Sequence, residues 1–531
     1  MAIMAMDTVK KTKLTTICAA TLFSQWACAG NWQFQPSLLI EETYTDNVEL
    51  TLSNEISSLV SQTGIEINTA YESQYLQFNL ISKSVYALYS HDHELDDDYH
   101  TLASDFNLKL GRQGLSLIGS ANIDNRARNG ARNSLADIVS ADTTRVESYS
   151  GGLAYDMANS DFHVNSSITY NLTESEDNIG NQNGYSASVS TKNGNSARLL
   201  FWDVHSTYQE RKNNNQTSRA YSGEVKLGLI TDWKINPFLR YYDEDNKGSL
   251  NRGQSTESNS YGAGIRWQVS PRLQIDFSYN KPIGSALDTD GNEQKEYFDT
   301  KINWQPSTRT TFSASLSQRF YGDSYGLSIS HQNKRLSNSI SYQETVQSFT
   351  RNNYNLIPLG AFYCPRGDSS DLNNCFAIDN SNINIENFEL MNLIDYELIE
   401  DNFYSLNKDL SWNSSLSLSR TTFSISLSSL NRENLETNIE DQRASAGFTA
   451  SRKVSGRSSL NFNASYNDNR FQINTETERQ DRYRNISIGY QKSLNSNLHF
   501  NFGLAHINRS SNAQEFNYEE GRLTFKITKD F

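Results

Sequence analysis

The sequence predicts an all-β fold: a large antiparallel transmembrane β-barrel of the outer-membrane type, with about 24 strands, short periplasmic turns and long extracellular loops. Three observations carry this. Apolar residues alternate with polar ones at period two, the side-chain repeat of a strand, and the 3.6-residue helical repeat appears nowhere for long. Short turns alternate with mostly longer polar loops along the chain. The last nine residues, Leu523-Thr-Phe-Lys-Ile-Thr-Lys-Asp-Phe531, put Leu523, Phe525, Ile527 and Phe531 on one face and end on an aromatic. An apolar face, a polar face and a closing Phe suit the last stave of a barrel and its assembly signal.

Composition permits a membrane protein without membrane helices. Of 531 residues, 36% are hydrophobic, and mean hydropathy is −0.65. A membrane helix needs about 18 consecutive apolar residues, and no such run exists. Strands with one polar face can cross a bilayer while looking hydrophilic on average. Only 7 prolines suit a chain of paired strands, because proline cannot donate to the ladder. The 28 Tyr and 25 Phe argue against disorder, which is poor in aromatics. A net charge of −14 supplies no basic footprint for nucleic acid.

The chain opens with a targeting segment, residues 1–29. Lys10, Lys11 and Lys13 form its basic region, Leu14 to Trp26 its short apolar stretch, and Ala27-Cys28-Ala29 its small-x-small cleavage site. Gln25 stands where a lipobox wants an aliphatic residue, which argues against a lipoprotein. The span 30–531 is then one barrel, and it starts at once with a strand: Trp32, Phe34, Pro36, Leu38 and Ile40 alternate with polar or small neighbours. This leaves no room for an N-terminal plug. Later stripes include Leu76, Phe78 and Leu80; Tyr221, Val225, Leu227 and Leu229; Phe423, Ile425 and Leu427; and Leu498, Phe500, Phe502 and Leu504.

Short turns fall at Glu72-Ser-Gln74, Gln113-Gly114, Asn159-Ser-Asp161, Asn193-Gly-Asn195, Lys234-Ile-Asn236, Ser270-Pro-Arg272, Pro306-Ser-Thr308, Ser455-Gly-Arg457 and Asn495-Ser-Asn497. Polar loops lie near 91–98, 128–142, 174–183, 211–217, 243–257, 283–294, 351–402, 432–441, 468–480 and 508–514. An even strand count leaves both termini on the short-turn, periplasmic side. The terminal strand is expected to pair with the Trp32–Tyr44 strand and close the sheet. The inward positions read as rich in Ser, Asn and Tyr.

A barrel this wide encloses more space than its wall side chains fill. The longest connection, 351–402, is the candidate constriction. It holds the apolar run Leu356-Ile-Pro-Leu-Gly-Ala-Phe362, and the alternative is a packed extracellular cap. Cys18 and Cys28 leave with the targeting segment. Cys364 and Cys375, ten residues apart in an exported polar loop, are expected to form a disulfide, since no His or further Cys stands nearby to complete a metal site.

No catalytic constellation emerges, and the reading is of a protein that is not an enzyme and holds no cofactor. Gly322-Asp-Ser324-Tyr-Gly326 matches the nucleophile-elbow pattern, but that motif needs a following helix and here it lies in a hairpin. His91, His93 and His100 with Asp96, Asp97 and Asp98 are donors for a cation on paper, yet an extended loop does not fix their spacing, so they read as a solvated acidic loop. Asp243-Glu-Asp245-Asn-Lys247-Gly248 begins like a calcium loop but has Lys247 and Gln254 where Asp or Asn and Glu are needed.

Two segments carry a resemblance. Trp32-Gln-Phe-Gln-Pro36 followed by Glu42-Thr-Tyr44-Thr-Asp46-Asn47-Val-Glu-Leu50, and Arg319-Phe-Tyr-Gly322-Asp-Ser-Tyr325 through Ser341-Tyr342-Gln-Glu344-Thr-Val346, resemble the PEP-CTERM system-associated outer-membrane β-barrel family. The resemblance covers the whole mature chain. It implies a barrel of the Gram-negative envelope associated with exopolysaccharide biosynthesis and export. Partners would be outer-membrane lipids and lipopolysaccharide, the barrel-assembly machinery, and the polysaccharide with periplasmic export proteins. No site residue transfers from it. One departure is Lys529, where many outer-membrane proteins carry an aromatic two residues before the final Phe. Two other readings stand beside export: a general or substrate-specific diffusion porin, and a non-conducting surface-attachment barrel.

Overall fold

The computed structural model describes residues 30–531 apart from 112–113, 128–137, 141–142, 179, 214–215, 249–255, 285–286, 290, 366–375 and 378–387, and over 349–402 it describes the backbone only. The targeting segment 1–29 and the Cys364–Cys375 pairing lie outside the described residues.

Strands β1 (Asn31–Thr45), β2 (Ser58–Glu72), β3 (Leu76–Tyr89), β4 (Asp97–Lys109), β5 (Leu115–Ala127), β6 (Thr143–Ala158), β7 (Phe162–Ser175) and β8 (Gln182–Asn193) build the first third of the wall. Then follow β9 (Leu200–Asn213), β10 (Gln216–Leu229), β11 (Ile235–Gly248), β12 (Glu257–Ser270), β13 (Leu273–Pro282), β14 (Tyr297–Ser307), β15 (Thr310–Arg319), β16 (Gly322–Gln332) and β17 (Leu336–Pro365). The two-residue β18 (Phe376–Ala377) is an appendage of β17. The wall resumes with β19 (Phe388–Ser417), β20 (Thr421–Asn434), β21 (Glu440–Ser455), β22 (Ser458–Ile473), β23 (Arg479–Ser493), β24 (Leu498–Ser511) and β25 (Tyr518–Asp530).

Each wall strand pairs antiparallel with the next, and β25 returns to β1, from Ser37↔Asp530 to Thr45↔Arg522. The result is a closed barrel of 24 strands. Closure leaves no strand of the wall as an open edge, the condition for crossing a bilayer with strands. Both described ends of the chain lie at the short-turn rim.

Alternation decides which residues meet lipid. On β1, Trp32, Phe34, Leu38, Ile40 and Tyr44 are 47–57% exposed, while Ser37, Leu39 and Thr43 between them are buried. A closed sheet that shows Leu, Ile and Phe all round its outside is stable only with hydrocarbon against it. The protein is an outer-membrane barrel on this surface. Aromatic girdles mark the two interfaces: Trp32, Trp267, Trp304 and Phe531 near the short-turn rim, and Tyr44, Tyr170, Tyr185, Tyr241 and Tyr261 toward the loops. Tyr170 packs against Tyr185 with the rings tilted and their centroids 5.1 Å apart. Many tyrosines thus face outward, which corrects the expectation of a Tyr-rich lumen. Amphipathic rings suit the headgroup level better than a water-filled interior.

The 351–402 segment is corrected as well. Residues 351–365 and 388–402 are strand and not loop: β17 and β19 are each 30 residues long and stay paired as far as Pro365↔Phe388. Pro358 and Gly360 of the apolar run sit at a register shift, where a bulge absorbs them. Two inner hairpin connections carried no recognised turn signal, Asn333-Lys334-Arg335 and 418–420, while the hairpin read around Gly322 turns at Phe320-Tyr321, eased by Gly322 at φ 107°.

Candidate functional site: the barrel lumen

The inner face divides into two sectors of different chemistry. From β15 to β24, excepting β18, the register puts 311–317, 324–332, 337–343, 411–415, 422–428, 445–451, 459–467, 485–491 and 501–505 on the wall, and every second residue there points inward. Those inward residues are all Ser, Thr, Asn, Gln, Gly or Ala, and none is buried. Neighbouring strands join them by side-chain bonds: Ser341 Oγ to Ser411 Oγ at 2.8 Å, Ser428 Oγ to Ser445 Oγ at 2.6 Å, and Ser451 Oγ donating to Asn461 Oδ1 at 2.7 Å. The spare hydrogen-bonding capacity of each group faces the lumen.

The sector from β9 to β15 is charged and filled. Arg240 on β11 donates through Nε to Glu224 Oε1 at 2.6 Å and meets Asp299 Oδ2 on β14 at 3.2 Å. Arg266 forms a two-pronged pair with Asp276, at 2.8 and 2.7 Å, and lies over the Phe201 ring at 4.3 Å. Lys226 lies 3.8 Å from Asp276. Arg319 on β15 donates through Nε to Glu244 on β11 at 2.7 Å. Strands three and four steps apart along the wall are on the order of 14–19 Å apart at ~4.8 Å per step. Side-chain contact across that span requires the wall to bend tightly inward. Glycine makes the bend packable: a Cβ on Gly262 would lie 2.2 Å from Asn280 Oδ1, and one on Gly264 2.6 Å from the Ser278 side chain. Lys226, Arg240, Glu244 and Asp276 are accordingly buried, 2–4% exposed.

The extracellular mouth is packed from three sides. In the first cluster, Val85, Ala87, Tyr89 and Tyr99 meet Leu39 and Val60, and the Ile138–Ser140 turn folds onto them through Val139. Tyr89 Oη donates to the Ile138 carbonyl at 2.5 Å. In the second, Phe516 lies between the Arg479 and Arg509 guanidinium groups, with Arg509 Nη2 bound to Asp481 at 2.9 Å. The Thr45-Asp46-Asn47 stretch locks the closing seam there. Asp46 accepts from the Gly521 N–H at 2.7 Å, and Asn47 Nδ2 donates to the Thr51 and Glu519 carbonyls at 2.7 and 3.0 Å.

The third cluster joins Phe320, Tyr404, Leu406 and Leu435. Burial pushes the neighbouring Tyr321 phenol above its ordinary value. Here the base of the long hairpin touches strands seven and eight positions away in the wall. Ser218 Oγ meets Ser348 Oγ at 2.8 Å, Arg211 Nη1 donates to the Ser348 carbonyl at 2.9 Å, and Tyr404 Oη reaches the Lys247 carbonyl at 2.7 Å. Arg211 and Ser218 point inward, so the hairpin base enters the mouth.

The sequence-predicted donors do not converge. His93 pairs with Asp96 at 3.2 Å, His100 with Asp98 at 2.7 Å, and His91 with Ser58 at 2.8 Å. Among the described residues no group of three or more His, Cys, Asp or Glu could hold a metal ion. Gly322–Gly326 belongs to strand β16 with Gly326 opposite Ser315, and Asp243 to Lys247 belong to β11. Leu523, Phe525 and Phe531 are exposed on the lipid-facing side of β25, with Ile527 half-buried between them. Sequence reading missed the buried ion pairs and the mouth contacts. The signal for the former was available, in charged residues alternating with lipid-facing Val225, Leu227 and Leu239.

No family model and no curated protein matches the chain. Among solved structures, the siderophore receptor PirA of Acinetobacter baumannii is similar at 10% identity and TM-score 0.42, over 94% of this chain and 80% of that one. A mutant of the ferric enterobactin receptor PfeA of Pseudomonas aeruginosa is similar at 9% identity and TM-score 0.42, over 94% and 80%. OpdK of Pseudomonas aeruginosa, solved with vanillate, is similar at 8% identity and TM-score 0.36, over 94% of this chain and 99% of that one.

Proposed function

We propose that the barrel serves an exopolysaccharide at the outer membrane, as a passage for the exported chain. The observation that supports this is the exposed hydroxyl and amide wall of β15 to β24. Such groups exchange hydrogen bonds with a hydrated polymer as readily as with water, so each contact is worth little net and the chain can move on. The resemblance to PEP-CTERM system-associated barrels points the same way.

A second reading has its own support. The packed mouth favours a barrel that holds polymer at the cell surface without conducting. Planar-bilayer recordings separate the two: steady current supports a passage, and no current from the intact or S348A/Y404F barrel supports attachment. Secretion in a deletion strain tests the polysaccharide itself. Unchanged secreted and surface-bound polymer, with reduced uptake of small solutes, would show a diffusion porin instead.

A further inference from the structure

We infer that the lumen is built for an uncharged glycan and discriminates weakly between ions; this rests on the glycan reading above. Two observations meet here. The first is the neutral belt at mid-wall, nine strands wide, on which an acidic polymer would find no cationic partner between Arg443 toward the mouth and Lys453 toward the short-turn rim. A carboxylate stripped of part of its water against hydroxyls alone gains less than it loses. A neutral glycan loses and regains hydrogen bonds of equal kind, and it has many equivalent positions along the wall.

The second observation is where the inner charges went. In the β9–β15 sector, apart from Arg211, which the hairpin base engages at the mouth, five cationic side chains, those of Lys226, Arg240, Arg266, Lys301 and Arg319, face five carboxylates. The set is balanced, half of it is buried and the other half is only partly exposed. Opposite charges held 2.6 to 3.8 Å apart present little net field to an ion several ångströms off. Elsewhere on the inner face Lys526 stands 3.7 Å from Glu41, another balanced pair. A pore that selects by charge does the reverse: it exposes rings of one sign.

Reversal potentials across a KCl gradient test this with the full mature barrel. In molar salt, where the acidic outer loops are screened within about 3 Å, the cation-to-anion permeability ratio is expected to stay within about twofold of one. S426D should make the pore cation-selective and S426K anion-selective. Dextran oligomers should block current at lower concentration than oligogalacturonate of matched length. A ratio of about ten or more for either ion, or stronger block by oligogalacturonate, overturns the inference while leaving a conducting passage intact. Where the barrel carries no current, titration calorimetry of the solubilised protein with the same two oligomers decides. Preference for dextran supports the inference; preference for oligogalacturonate, or binding of neither, overturns it.

Discussion

The two sectors of the lumen follow one alternation rule and reach opposite ends. At mid-wall in β15 to β24 the inward side chains are short and neutral, the wall stays open, and water reaches them. In β9 to β15 they are long and charged, and the wall folds around them until Lys226, Arg240 and Asp276 are almost fully covered. The difference shows that inward orientation in a wide barrel does not by itself mean exposure to the lumen. Side-chain length and charge complementarity decide whether a stretch of wall lines a channel or fills a bend. The filled bend narrows the open lumen with wall residues alone.

The comparison breaks first at Arg240. Arg240→Met removes the cation between Glu224 and Asp299, leaving the covered Asp299 without that partner and Glu224 with Lys226 alone, 3.6 Å away. Breaking one side of a buried ion pair costs about 3–5 kcal/mol. Ser426→Ala in the open sector should stay within about 0.5 kcal/mol, because its hydroxyl already faces water. Urea titration of the refolded barrel, followed by its heat-modifiable gel band, measures both. Equal midpoints for the two variants would mean that the charged sector is as hydrated as the neutral one.

Next comes Gly262→Leu. Its Cβ would lie 2.4 Å from the Tyr279 carbonyl as well as against Asn280. Neither can move without disturbing the ladder, so overpacking of about 1–3 kcal/mol is expected. Gly447→Leu in the open sector meets only the Ser426 hydroxyl within 3 Å, and that side chain can rotate. A smaller midpoint shift for Gly447→Leu than for Gly262→Leu sharpens the comparison, and the reverse order breaks it.

The hairpin base gives a geometric test. Ser218 and Ser348 have their hydroxyls 2.8 Å apart although the strands carrying them are seven positions apart in the wall. The double variant S218C/S348C should oxidise readily to a disulfide, since side-chain atoms 2.8 Å apart need only a small approach to bring two sulfurs into bonding distance. The product should migrate as a compact band that dithiothreitol abolishes, and it should carry less current than the reduced form. Absence of the cross-link in oxidised membranes would place the hairpin base away from β10.

These particulars show what a one-dimensional reading could reach. The strand pattern, the sorting of short and long connections and the closing pair of β1 with β25 are local or periodic properties, written in stretches such as Ser337-Asn-Ser-Ile-Ser341 and Leu523–Ile527. The neutral wall was equally readable, once every second residue was followed. The side on which the tyrosines fall was not, because a Tyr suits a headgroup interface and a wet lumen alike. The bend was hidden for a different reason. Arg240 and Asp299, or Ser218 and Ser348, are brought together by how far the wall curves, and no short-range pattern encodes curvature.

The smallest effect lies at the seam, where β25 meets β1 and the lipid-facing stripe contains one charge. Lys529 shares the face of Leu523 and Phe525, and its ammonium sits 5.9 Å from the Phe531 ring centroid. At the periplasmic rim a cation on the lipid face costs about 0–1 kcal/mol, and an exposed cation–π contact returns about 0.5–1 kcal/mol. Lys529→Tyr should therefore leave assembly close to unchanged. Deleting Phe531 removes both the ring that accepts the ammonium and the last aromatic anchor of the girdle, and its N–H bond to the Pro36 carbonyl, 3.0 Å long, goes with it. Assembly into membranes, scored as the fraction of protease-resistant barrel, should fall clearly more for the deletion than for Lys529→Tyr. Equal insertion of the two variants would show that the terminal ring is dispensable and that the seam is held by the Thr45-Asp46-Asn47 lock at its other end.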